Sequence, residues 1–358
     1  MNKIVKLLFI IDDLRVGGTE IVLSDRILNA PSKYSITVIT LFAEGDIGVL
    51  LRSAGVDVIC LNLKKRNIIA KFCELRRILK SSKFDVAVCM RDVSRALFPF
   101  FLQQYVNKIF LFWDSPLKRK SFIYDLFEVI QTKITNFTPY CSTKFIKQTL
   151  LDRYKLQNIN VIYNSYNQNS FFRIPKTIST DNSKINIVTV GGERIEKNHS
   201  AKIAICSKLK ELGIDFNFVI VGGDKNNILQ NQIVDASLSD NITITGEVEN
   251  VIDYLRDADL FLFTSFSEGC PVALLEAMAV GVPILSFSFP GIEEIDRNND
   301  FIDIIQNNSI DETVDKIIFY HKNRFEMNKK SEVIANYAKL NFSSEYIRPQ
   351  FFDMIEGN

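Results

Sequence analysis

The 358-residue chain reads as an α/β protein made of two doubly wound, parallel-sheet domains. Three observations predict this. Short apolar runs alternate with amphipathic stretches from end to end; the alternation breaks once, at the polar segment 164–183; and the segments on either side of the break carry opposite charge. Residues 1–170 hold 25 Lys and Arg against 14 Asp and Glu, whereas the remainder holds 18 against 28. Runs that are apolar on both faces and separated by helices indicate parallel strands in βαβ units, because only a sheet covered on both sides buries both faces of a strand.

In the first half the strand candidates are 4–11, 35–41, 57–60, 85–89, 108–112, 137–140 and 160–162. Between them lie helical patterns such as 68–80, where Ile68, Ile69, Phe72, Leu75, Ile78 and Leu79 recur at helical spacing. Segment 164–183, rich in Asn, Ser and Gln and containing Pro175, reads as a linker. A second series follows, with strands at 185–190, 215–221, 241–245, 259–264 and 283–286, and a mostly helical tail from about 311 to 355. The expected organisation is a domain at 1–170, a second at 171–340, and a final helix at 341–358 crossing back to the first. In such sheets ligands sit at the carboxyl ends of the strands, so the expected site is a cleft between the two domains.

Composition excludes several classes. The hydrophobic fraction is 47% and the charged fraction 24%, an ordinary globular balance. No stretch approaches the roughly 18–20 uncharged apolar residues a membrane span requires. Residues 1–11 resemble a feeble signal peptide, but no small-residue cleavage site precedes Asp12 and Asp13, so they read as a buried first strand of a cytoplasmic protein. Six scattered cysteines without a CxxC pair read as buried free thiols, and two histidines, His199 and His321, cannot build a multi-histidine metal centre. The basic excess concentrates in Lys64, Lys65, Arg66, Lys71, Arg76, Arg77, Lys80 and Lys83, and again in Lys118, Arg119 and Lys120. Either this is a solvated helix face, or it meets anionic lipid headgroups or a phosphate-bearing acceptor; nucleic acid is disfavoured, since no recognised motif accompanies the charge.

Segment 263–281, FTSFSEGCPVALLEAMAVG, is the most informative. A strand ends near Thr264, a loop with Gly269 and Cys270 follows, and Pro271 suits the first helical position. The free amides and dipole of that helix N-terminus suit a diphosphate. Glu268 lies in the loop and Glu276 on the second turn, and carboxylates accept hydrogen bonds from paired hydroxyls. Two ordinary surface glutamates would give the same spacing. In a second segment, VGGERIEKNH at 190–199, Gly191 and Gly192 allow backbone to approach a phosphate, with Arg194 and Lys197 available to neutralise a departing diphosphate where other enzymes use a metal. His199 reads as a helix-start residue. A third, LRVGGTE at 14–20, sets Gly17 and Gly18 before a helix, with Glu20 as a first-turn carboxylate; the full dinucleotide fingerprint is missing. A fourth, FLFWDSP at 110–116, puts Asp114 at a strand end, either as an acceptor-hydroxyl base or sugar ligand or as the N-cap of the next helix. Asp92, after the fourth strand, reads chiefly as a helix cap.

The 263–281 segment strongly resembles the E-x7-E signature of family 4 retaining glycosyltransferases, matching at Ser265, Glu268, Gly269, Pro271, Glu276, Ala277, Ala279, Gly281 and Pro283. Segment 244–265 resembles the stretch leading into it, with Gly246 to Val248 bordering the nucleotide base. The Gly17–Gly18 loop resembles the family's G-G-x-E loop, and 161–172 its interdomain hinge. The resemblance implies a GT-B fold, donor-sugar contact for Glu268, ribose binding for Glu276, diphosphate binding for Lys197, and retention at the transferred carbon. Two departures stand out: the family's usual arginine position is Gly192, with Arg194 two places later, and no histidine precedes His199. The expected activity is metal-independent transfer from a nucleotide-diphosphate sugar to a glycan or lipid-linked acceptor, in bacterial surface polysaccharide synthesis. A catalytically silent nucleotide-sugar-binding partner, or a phosphorylase or epimerase of the same fold, would share these motifs.

Overall fold

A computed structural model describes residues 4–64, 66–116, 122–167, 183–248, 250–297, 301–323 and 329–357. Lys65, Lys118, Arg119, Lys120, Pro175 and most of the linker and hinge segment lie outside the described residues. The chain divides into two compact units: Met1–Asn164 with Ile347–Asn358, and Ser165–Tyr346.

The first unit contains β1 (Val5–Asp13), β2 (Tyr34–Ala43), β3 (Asp57–Cys60), β4 (Val86–Met90), β5 (Lys108–Trp113), β6 (Thr138–Cys141) and β7 (Asn160–Val161). They form a parallel sheet in the order β3-β2-β1-β4-β5-β6-β7. The order reverses between β1 and β4, leaving the carboxyl ends of these two strands uncovered by a crossover. The strands read as unbroken apolar runs because each is covered on both faces. Leu7, Phe9 and Ile11 of β1 enter one core with Leu23, Ile27 and Leu51, while Leu8 and Ile10 enter the opposite core with Leu75, Leu79, Phe98, Leu102, Ile146 and Leu150. Ile347, Phe351, Phe352 and Ile355 of the last helix, Ser344–Glu356, join the first of these cores.

The second unit contains β8 (Ile185–Val190), β9 (Phe216–Val221), β10 (Ile242–Ile244), β11 (Leu260–Phe263), β12 (Ile284–Phe287) and β13 (Ile302–Ile305), in the order β10-β9-β8-β11-β12-β13. All pair in parallel, and the order reverses between β8 and β11. Strand β13 has no counterpart in the sequence reading. Its four residues include Asp303, and the apolar positions are too few to show a period. Two smaller corrections concern the cysteines and the first strand. Cys73 is exposed and Cys60 half-buried, whereas Cys89, Cys141, Cys206 and Cys270 are buried free thiols as expected. Strand β1 runs on through Asp12 and Asp13 rather than ending at Ile11.

Candidate active site

In the second unit the loops after β8 and β9 stack glycine on glycine. Gly191 donates to the Val221 carbonyl at 2.9 Å and Glu193 to the Gly223 carbonyl at 3.0 Å. A Cβ on Gly222, where φ is +153°, would lie 2.6 Å from the Gly191 carbonyl carbon, so only bare backbone permits this approach. Gly222 also bridges to Gly246, whose φ is +77°. The side chain of Lys197 lies along Gly191, where a Cβ would meet its Cε at 2.9 Å.

Lys197 closes a 3-10 turn, Ile195–Lys197, and its Nζ donates to Glu268 Oε1 at 2.9 Å. The turn is pinned from three sides. The Lys197 carbonyl accepts from Thr264 Oγ1 at 3.0 Å and from Lys202 Nζ at 2.9 Å, and the Glu196 carbonyl accepts from the Phe266 amide at 3.2 Å. The loops after β8 and β11 are thereby tied together at the reversal point of the sheet. Burial lowers the Lys202 ammonium to about 7, with Lys197 adding repulsion and Glu268 opposing it. His199 is the first residue of its helix, as expected, and its Nε2 is 3.0 Å from the Gly192 carbonyl, which accepts the proton of that tautomer. Desolvation, reinforced by Lys202, holds its imidazole down to about 4, so it is neutral near pH 7. Arg194 is exposed.

The helix that carries Glu276 spans Val272–Val280. Pro271, expected as its first residue, is instead its N-cap, because ψ of 115° leaves it extended. Gly269, Cys270 and Pro271 lead into the free amides of that helix, and Gly281 closes it in the left-handed region. Glu276 retains some solvent contact, but protein surrounds it closely, and desolvation alone pushes its carboxyl up to about 7. No described residue offers it a hydrogen bond or a countercharge. Val248 is half-buried beyond Gly246 on the loop after β10.

The first unit gathers a second constellation at its own reversal point. Asp114, at the end of β5, accepts from Thr19 Oγ1 and lies 3.4 Å from Arg91 Nη1. Arg91 Nε is 3.3 Å from Glu20 Oε1. Arg91, the residue after β4, has φ of +72°, a backbone conformation that costs energy for a residue with a Cβ. Glu20 does occupy the first turn of its helix, Gly18–Leu28, yet it is buried rather than solvated. Desolvation raises its carboxyl to about 7 against the opposing pull of Arg91. Gly17 is the extended N-cap of this helix, and a Cβ there would strike the Glu20 carboxylate.

Asp92 does not cap its helix, contrary to the sequence reading. It is the first helical residue of Asp92–Leu97 and pairs with Arg95 at 3.1 Å. The amides of Val93 and Ser94 are instead satisfied by Asp12 at 3.0 and 2.8 Å. The sequence reading also missed Arg91 and Lys202. Asp12 and Arg91 could have been found by asking which polar residues end the two strands flanking the reversal point. Lys202 is a charge at an inward helical position, a signal present in the periodicity. Among the described residues no group of three or more His, Cys, Asp and Glu side chains is close enough to hold a metal ion.

These features, with glycine-stacked loops, Lys197 and the two spaced glutamates in one unit, match the family described as glycosyl transferases group 1 over residues 171–341. The match covers most of the second unit. It is 36% identical over 124 residues to the amylovoran biosynthesis glycosyltransferase AmsK of Erwinia amylovora, a match covering 32% of this chain and 30% of that protein. The chain thus spans about a third of the length of that relative, at 30%. It is 24% identical over 317 residues to the capsular polysaccharide biosynthesis glycosyltransferase CapH of Staphylococcus aureus, covering 82% of this chain and 84% of that protein. The structure of Anabaena HepE in complex with UDP-glucose superposes with a TM-score of 0.81 at 16% identity, covering 99% of this chain and 100% of that one. The fold of the chain is therefore GT-B, two Rossmann-like α/β domains.

Proposed function

We propose that the chain is a retaining glycosyltransferase that moves a sugar from a nucleotide-diphosphate donor to an acceptor hydroxyl, without a metal. The observation that carries this reading is the Lys197–Glu268 pair, 2.9 Å apart, beside the glycine-stacked loops of β8 and β9. Bare backbone at Gly191, Gly192 and Gly222 admits a diphosphate, Lys197 offsets the charge that grows as the diphosphate leaves, and the free amides after Pro271 add to it. Glu268 then takes a hydroxyl of the transferred sugar. Glu276, desolvated and without a countercharge, accepts from the ribose diol, and Gly246 to Val248 border the base. In the first unit Asp114, held between Thr19 and Arg91, orients the acceptor hydroxyl beside Gly17 and Gly18. Relatives named for amylovoran and capsular polysaccharide synthesis support a bacterial surface glycan as product, built on a glycan or lipid-linked acceptor at the cytoplasmic side of an anionic membrane.

The test is calorimetric titration of the purified protein with UDP-, GDP- and ADP-sugars, with and without chelator, followed by turnover. Binding of one nucleotide class that survives chelator and drops at least tenfold in Lys197→Ala supports the donor site. Absence of binding across the panel refutes it. The exposed Arg194 favours a second reading, a silent nucleotide-sugar-binding partner. Binding without transfer or slow hydrolysis would select that one.

A further inference from the structure

Lys202 puts a charge where the fold calls for an apolar side chain. It sits in the first turn of helix His199–Glu211, is 2% exposed, and shares the inward face of that helix with Ile205, Cys206 and Leu209. Burying an ammonium costs stability unless an acceptor or a countercharge compensates it. The compensation here is a backbone carbonyl, that of Lys197, to which Nζ donates at 2.9 Å. Glu268, the carboxylate that opposes the loss of this charge, is itself paired with Lys197.

The lysine grips the backbone from which Lys197 reaches Glu268. The Lys197 carbonyl accepts a second bond from Thr264 Oγ1 at 3.0 Å, and the same hydroxyl lies 3.3 Å from the Asn198 carbonyl. Asn198 joins the 3-10 turn to the helix with φ of +51°, a left-handed conformation that asparagine tolerates. Charge is also unevenly shared in this corner. Lys197 and Glu268 offset each other at 2.9 Å, His199 is neutral near pH 7, and Arg194 is exposed. The buried positive charge left uncompensated by a carboxylate is that of Lys202, and in a desolvated setting such a charge acts beyond its own contacts.

We propose that Lys202 is a positioning residue of the donor site: its buried side chain holds the Lys197 turn between the β8 and β11 loops and sets a second positive charge behind the diphosphate. This role rests on the reading of Lys197 as the diphosphate's cation. The groups that face Lys202 are Lys197 and Glu268 on the two loops, and His199 and Cys206 on its own helix. Burial pushes the Cys206 thiol up, so it stays neutral. Desolvation, with repulsion from Lys197, brings the Lys202 ammonium down to about 7, so near neutral pH it is charged about half the time. An anion held by Lys197 favours the charged form. Donor binding therefore draws a proton onto the protein, and affinity falls as pH rises above 7.

The experiment is titration calorimetry of the full chain with UDP-glucose, GDP-mannose and ADP-glucose at pH 7 and 8, each in two buffers of different ionisation enthalpy, so that protons taken up are counted. The diphosphate of a nucleotide sugar does not itself titrate in this range. At pH 8, where Glu276 is already ionised, the wild type should take up about half a proton and Lys202→Met none. The variant should bind about tenfold more weakly at pH 7 and only about threefold more weakly at pH 8, as the wild type loses its own charge. Its melting temperature should equal or exceed that of the wild type, whereas a lysine with a merely structural role would give a loss of affinity that ignores pH. A wild type that binds without proton uptake overturns the proposal with no variant needed. So does uptake that persists in Lys202→Met, or a variant that binds within about twofold of the wild type at pH 7. Those outcomes leave the donor site standing, whereas no binding of any of the three nucleotide sugars refutes the donor site and this role with it.

Discussion

Replacing Glu276 by glutamine should stabilise the second unit and weaken nucleotide binding together. In the folded chain desolvation raises this carboxyl from 4.5 to about 7, with no donor or cation among the described residues offsetting it. Between these values the folded state holds a proton that the unfolded chain has released, so stability falls as pH rises from 4.5 to 7 and stays reduced above. The shift corresponds to about 3 kcal/mol at most, and residual solvent contact discounts that to about 2. Glutamine keeps the shape and removes the charge. At pH 8 the melting temperature should therefore rise by about 4–8 °C for a unit of this size, and the gain should vanish near pH 4.5. Loss of a charge-assisted acceptor for a diol should weaken nucleotide affinity about tenfold to a hundredfold. Scanning fluorimetry across pH and titration calorimetry with the bound nucleotide read both effects. A destabilised variant would mean that Glu276 has a countercharge in solution. A stabilised variant with wild-type affinity would mean that the carboxylate does not touch the nucleotide.

Lys202→Met should stabilise the chain by about 3 kcal/mol at pH 7. The buried ammonium is lowered from 10.5 to about 7, so the wild type gains stability as pH rises across that window and the variant does not; urea melts at pH 7 and 10 should show the difference disappearing. Gly222→Ala should cost at least about 2 kcal/mol and abolish donor binding, since its Cβ would lie 2.6 Å from the Gly191 carbonyl carbon; wild-type affinity in a folded variant would contradict the phosphate-loop assignment. Asp114→Asn should leave nucleotide affinity within about twofold and lower transfer about a hundredfold or more, as loss of a proton-handling group does. Equal losses in both would move Asp114 to the donor side.

Most of the fold was legible because a parallel sheet covered on both faces writes itself as continuous apolar runs, and these runs match β1 to β12 within two residues at either end. Strand β13 escaped because four residues interrupted by Asp303 carry no period. The glutamates, Lys197 and the glycines were legible as a motif, since local spacing is all a loop and one helix require. The first-unit constellation was not, because its members, Asp12, Glu20, Arg91 and Asp114, come from separate segments that only the sheet order brings together. Asp92 shows the same limit at closer range. It stands where a cap belongs, yet Asp12, eighty residues earlier in the chain, takes the amides at 2.8 and 3.0 Å.

The two units place charge in opposite ways at equivalent positions in their sheets. At the β8–β11 reversal a lysine and a glutamate pair near bare glycine backbone, leaving a second glutamate uncompensated. At the β1–β4 reversal one arginine lies between a buried carboxylate, Glu20, and a half-buried one, Asp114. The first arrangement suits a ligand that brings both anionic oxygens and hydroxyls, because its phosphates can take over Lys197 and its ribose can satisfy Glu276. The second suits a neutral hydroxyl, since the charge of Arg91 is already met by Glu20 and Asp114. A transferase needs this asymmetry: one partner arrives as a diphosphate and leaves carrying more charge, and the other arrives as an alcohol that must give up a proton. Arg91→Ala tests the assignment directly. Without the guanidinium that opposes its desolvation, the Glu20 carboxyl, already raised to about 7, is pushed further up, and the acceptor-dependent rate should acquire a pH dependence that nucleotide binding lacks.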